Sequence, residues 1–165
     1  MTENILERLF EHNNWANAEI IRACSTLSDE QLDAEPKSAT KGSIRLTLWH
    51  LVEAQQSYLS LLTLPIEKRV YPPIAFTEFE HVASASGEVL LAMAKGERKP
   101  VTTPLQTEDG YYVEPWVVLV QVINHATEHR EQINNMLTAL GVTPLDLDGW
   151  TFGNATSAIV PIPKE

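Results

Sequence analysis

Residues 115–141 read PWVVLVQVINHATEHREQINNMLTALG, and this stretch decides the fold. Val118, Val122, Ile133, Met136 and Leu140 fall on one line of an α-helix. Pro115 suits a first helical turn, whose N–H groups have no partner within the helix. Gly141 supplies the residue just past the end, and Pro144 forbids continuation. The pattern predicts one long helix from 115 to 140. His125 and His129 lie on the same apolar line, about 40° apart at about 100° per residue, so both imidazoles face the core. Two neutral imidazoles in an apolar interior leave ring nitrogens to be satisfied, because an unpaired buried polar group costs about 1 to 3 kcal/mol. A divalent metal satisfies both at once.

A third ligand then has to come from another helix. Ser43 is a good N-cap, and Leu48, Leu51, Val52, Leu59 and Leu62 carry a second helical stripe up to Pro65. His50 sits on it beside Leu46, Ala54 and Ser57, a small-residue strip suited to facing the long helix. Three histidines without a cysteine or carboxylate resemble a catalytic rather than a closed structural site, since structural zinc usually takes four protein ligands. Glu128 precedes the second histidine, whereas the zincin pattern His-Glu-x-x-His puts its glutamate directly after the first. A zincin protease is excluded. Glu128 projects about 80° from the histidine pair and Glu53 about 60° from His50. Either can orient ligands or move protons, or serve simply as a solvated or inter-helix charge. Gln121 and Gln132 flank the pair and are candidates to support the ligands or touch a substrate.

The rest of the chain reads as helical too. Ile5, Leu9, Ala16, Ile20, Ala23 and Leu27 predict a first helix over about residues 3–26. Ser28 to Gln31 has capping-box form but leads only to Pro36, which predicts a short turn and then a polar loop to residue 43. Pro65, Pro72 and Pro73 make 65–76 a rigid connector. Thr77 to Glu80 forms a capping box for a third helix ending near Gly96. Pro100, Pro104 and the Asp109-Gly110 turn signal predict a small hairpin or an irregular excursion over 98–114. The last 24 residues, 142–165, read as an extended tail wrapping the body. The fold expected is all-α: a helical bundle with long connections, as one domain over 1–165.

With 12 Lys+Arg against 22 Asp+Glu the formal charge is −10, which disfavours gripping nucleic acid or an anionic membrane. Strictly apolar runs such as Trp116 to Val120 are far short of the roughly 20 residues a membrane helix needs. With no basic leader either, the expected location is cytoplasmic. Cys24, the single cysteine, excludes an internal disulfide and a cysteine-based zinc knuckle; within an apolar-periodic segment it reads as a buried, inert thiol. His12 reads as lying on a polar helix face. Glu78 and His81 make half of a di-iron signature, with no second copy. Trp49, Trp116, Trp150, Tyr111 and Tyr112 suit either a pocket mouth or packing.

LFEHNNWAN (9–17), GSIRLTLWHLVEAQQSYL (42–59), INHATEHREQINNMLTALGV (123–142) and DGW (148–150) together resemble the DinB-like, or YfiT-like, metalloproteins over almost the whole chain. The resemblance implies a four-helix bundle whose three metal-binding histidines match His50, His125 and His129. It also implies one divalent ion, zinc or nickel before iron or manganese, and a homodimer. Glu131 departs from the pattern, since many relatives carry Gly there, but it points away from the histidines. The activity implied is transfer of a low-molecular-weight thiol to a small electrophile, or a related isomerisation. Two alternatives stay open: a hydrolase that activates water at the metal, and a non-catalytic protein that keeps the ion for stability or partner binding.

Overall fold

The computed structural model describes residues 4–37, 39 and 42–162. Helix α1 spans Ile5–Cys24, opened by Asn4, whose side chain accepts from the N–H groups of Leu6 and Glu7. Phe10, Asn13, Ala16, Asn17, Ile20, Ile21 and Cys24 form its buried stripe. The Ser28 and Gln31 capping box does more than turn the chain: it starts a five-residue helix α2, Asp29–Asp33, that buries Leu32. Helix α3, Ile44–Thr63, is capped by Ser43 as expected.

The third long helix, α4, Phe79–Ala94, starts later than its sequence signal suggests. Thr77 lies inside a 3-10 turn, Phe76–Glu78, and it is Glu78, not Glu80, that reaches back, accepting the Ala75 N–H at 3.0 Å. Alanine has no side-chain acceptor, so only half of a capping box exists. Glu80 instead takes a 2.7 Å bond from Arg22 on α1. Of the two options for 98–114 the hairpin occurs: β1 (Leu105–Gln106) pairs antiparallel with β2 (Tyr112–Val113), and Leu105 lies opposite Val113. Gly110 turns the chain at φ +92°. Helix α5 is Pro115–Ala139, with the proline in its first turn and Gly141 following at φ +74°. The tail is not extended throughout. Asp148 caps a short helix α6, Gly149–Ala155, by accepting from Thr151 N–H, and Phe152 packs its ring 5.4 Å from Trp15 and 5.5 Å from His12.

Helices make up most of the described residues, and the two dipeptide strands are the only sheet among them. The long helices close a circuit in which α1 and α3 each pack on both α4 and α5, so α1 and α3 face each other across a diagonal. Two apolar clusters fill this circuit. One gathers Ile20, Leu48, Leu51, Phe79, Ile133 and Met136; the other, Phe10, Leu62, Leu90, Leu105, Val118 and Val122. A buried polar layer accompanies them: Asn13 of α1, Gln55 of α3 and Ser86 of α4 lie between the two clusters, and Asn17 of α1 and Arg130 of α5 lie among residues of the first. No helix among the described residues is long and apolar enough to cross a membrane.

Candidate metal centre

Because α3 and α5 pack directly on each other, residues on their facing stripes meet, and the two histidine-bearing stripes meet at one point. His125 Nε2 stands 3.1 Å from His50 Nε2 and 3.1 Å from His129 Nε2. The three ring atoms lie within 4.8 Å of one another. The rings are steeply inclined, at 60° for His50 and His125, 82° for His50 and His129 and 77° for His125 and His129, so they converge by edges rather than stack by faces. His129 is buried, while His50 and His125 are partly exposed, which leaves the cluster open on one side.

These residues fit a divalent ion. Two nitrogens bonded to one tetrahedral zinc at about 2.0–2.1 Å stand about 3.3–3.4 Å apart, within a few tenths of an ångström of the two 3.1 Å separations that His125 makes. Polarity fits as well. Glu128 Oε1 is 3.2 Å from the Gln132 amide nitrogen, and Gln132 Oε1 is 2.7 Å from His129 Nδ1. An ionised carboxylate only accepts, so the Gln132 amide donates to Glu128 and turns its oxygen to His129. His129 must then carry its proton on Nδ1, leaving the Nε2 lone pair for the cluster. Three histidine nitrogens and an open side are a donor set that can hold a metal ion.

The other candidates are placed differently. Glu53, half-buried on the turn of α3 after His50, accepts from Ser57 Oγ at 2.9 Å. Gln121, one turn before His125, is exposed. Tyr58, which the sequence gives no reason to single out, sets its ring edge-on to His125 at 5.7 Å between centroids. Arg69 donates to the Gln106 carbonyl at 2.7 Å and Tyr71 donates to Glu108 at 2.8 Å, so the 65–76 connector and the hairpin are tied together. Burial and the Glu108 bond raise the Tyr71 phenol's pKa, and the Glu53 charge adds to the effect.

His12 stands outside the cluster: its Nε2 is 2.8 Å from the Leu147 carbonyl, pinning the tail. That is a part-buried docking contact rather than a polar face. His81 is exposed, and its partner in the half-signature, Glu78, is used at Ala75. Cys24 is buried, and burial pushes its thiol pKa up to about 12, which keeps it protonated and unreactive. Trp49, Trp116, Trp150, Tyr111 and Tyr112 are all exposed. The DinB family model matches residues 1–164. No curated protein matches the chain.

Proposed function

Since the chain belongs to the DinB family, we propose that it is a mononuclear divalent-metal enzyme, held by His50, His125 and His129, that transfers a low-molecular-weight thiol to an electrophilic small molecule. The observation that carries the reading is the convergence of three Nε2 atoms on an open side, with His129 oriented by Gln132. Zinc or nickel suits three imidazoles best, with iron or manganese as weaker fits. When bound, such an ion lowers the pKa of a thiol or a water at its free position and so supplies a nucleophile at neutral pH.

The chain's own residues take the remaining roles. Glu128 acts through Gln132, keeping the His129 proton on Nδ1. Glu53, half-buried beside Ser57, accepts the proton the thiol gives up. Gln121, exposed one turn from His125, contacts substrate. The exposed apolar residues Trp116, Val117 and Val120 on α5 support a homodimer, which sedimentation at micromolar concentration tests.

The function is tested by elemental analysis, followed by assay of the metal-loaded protein. Loss of an electrophile such as an epoxide or chlorodinitrobenzene, dependent on added thiol, is the expected result. Turnover of esters or amides without thiol would replace the reading with hydrolysis. Neither activity in a metal-loaded protein would leave a non-catalytic metal protein.

A further inference from the structure

Arg130 follows His129 directly in the chain, yet it points into the core and is 2% exposed. Its Nη1 donates to Asn13 Oδ1 at 2.9 Å and to Asn17 Oδ1 at 2.6 Å, and its Nη2 donates to Thr127 Oγ1 at 3.0 Å. Asn17 passes the connection on: its Nδ2 donates to Gln55 Oε1 at 3.0 Å, across the α1–α3 diagonal. Gln55 then donates to the Ala83 carbonyl at 2.9 Å and to Ser86 Oγ at 2.7 Å on α4. One hydrogen-bonded path thus runs through all four long helices. It begins at the residue next to His129 and passes within five residues of His50.

This network is a poor device for stability alone. The guanidinium is surrounded by amides and a hydroxyl, and burial pulls its pKa down to about 10. Asn13 leaves its own amide nitrogen buried without a partner. Even a buried charge paired with its counter-charge is often replaced by well-packed apolar side chains at no cost or with a gain in stability. Hydrogen bonds have what apolar contacts lack, direction: the apolar contacts of the two clusters tolerate a small slide of one helix past another, whereas a planar guanidinium bonded through Nη1 to two side-chain amide oxygens of α1 and through Nη2 to Thr127 does not. A metal site tolerates errors of only about 0.2 Å in its bond lengths.

We propose that Arg130 is a positioning residue. With Asn17 and Gln55 it fixes the register at which His50 of α3 meets His125 and His129 of α5, so that the three nitrogens are set for the ion before it arrives. This rests on the metal reading above, and the test separates the two. Zinc affinity is measured by competition with a chromophoric chelator. Melting is followed with and without zinc, and the cobalt-loaded proteins are compared by their visible absorption.

Arg130→Met and Gln55→Met are each expected to weaken zinc binding about 10- to 100-fold, the usual effect of losing a group that orients a metal ligand. They should also alter the cobalt band and shrink the rise in Tm that zinc produces. Arg130→Lys keeps the charge but loses the planar pair of nitrogens that bonds α1 and Thr127 at once, and should behave like Arg130→Met. Leu90→Ala, in the distant apolar cluster, should lower the Tm with and without zinc alike while leaving affinity unchanged. If Arg130→Met does not fold, Gln55→Met, which sits between two apolar clusters, decides. Wild-type zinc affinity in the folded methionine variants, or full rescue by Arg130→Lys, overturns the proposal and leaves the metal reading intact. A wild-type protein that binds no zinc overturns both.

Discussion

His129 and Gln132 stand on consecutive turns of α5 with Nδ1 and Oε1 2.7 Å apart, and the direction of that bond is dictated from further out, by Glu128. A carboxylate that can only accept thereby determines which nitrogen of a buried imidazole carries the proton. The histidine presents a lone pair to the cluster because a glutamate one turn away leaves the glutamine no other orientation.

Breaking this relay should loosen the ion without unfolding the chain. Gln132→Leu is expected to lower zinc affinity about 10- to 100-fold. Glu128→Gln should cost less, because a second amide can still accept from Gln132. Chelator competition measures both. Equal affinity in wild type and Gln132→Leu would show that the bond orients nothing.

Removal of His50 takes away the only imidazole that α3 brings to the cluster. His50→Ala should lose zinc affinity by orders of magnitude, because water alone replaces the lost bond. Its circular dichroism should stay that of the wild type, since the apolar stripes do not depend on the ion. His12→Ala and His81→Ala should keep one equivalent of metal. Metal content that survives His50→Ala but falls in either control would move the site elsewhere.

Cys24 predicts a limb of the stability curve. Its thiol pKa rises from 9.0 to about 12 in the folded chain, so between those values the folded state holds a proton that the unfolded state has released. Stability then falls as pH rises through this window, while below it both states are protonated and Cys24 adds no slope. Urea titrations from pH 8 to 11 should show a shallower alkaline decline in Cys24→Ala than in wild type. Identical slopes would refute the assignment. The native thiol should also resist alkylation that proceeds readily in urea.

Gly87 sits in α4 against Asn14 of α1, where an added Cβ would meet Asn14 Oδ1 at 2.5 Å. Alanine favours a helix interior by up to about 1 kcal/mol over glycine. Here the clash should outweigh that gain and make Gly87→Ala destabilising by about 1 to 3 kcal/mol. In an Asn14→Ala background the sign should reverse. A double-mutant cycle by denaturant unfolding reads the coupling, and an additive result would mean that Asn14 simply swings aside.

Much of this was legible in the sequence, and the legible parts share a physical cause. Helices α3 and α5 announce themselves through apolar periodicity and caps at Ser43, Pro115 and Gly141, and the i, i+4 histidines inherit their direction from that periodicity. Helix α6 was hidden. It has seven residues, with glycine at 149 and 153, and it is held by Phe152 packing on residues from the far end of the chain rather than by local preference. The polar layer was hidden for the same reason: Arg130 and its acceptors Asn13 and Asn17 are 117 and 113 residues apart, and nothing in the local pattern of either helix pairs them. Gln132 was a candidate by angle alone; the bond that gives it a role depends on the rotamers of Glu128 and His129. Residues 38, 40 and 41 of the expected polar loop lie outside the described residues.

The placement of the histidines also sets when the centre comes into being. His50 and His125 are 75 residues apart, with the whole of α4 and both long connections between them, so no local turn brings them together. Each helix can form, and α3 can find α4, before the third nitrogen is in place. An ion held by all three would then act on interactions made late on the folding path. Its mark would be kinetic: zinc would slow unfolding and leave the folding rate nearly untouched, working as a lock on the finished molecule rather than as a template for building it.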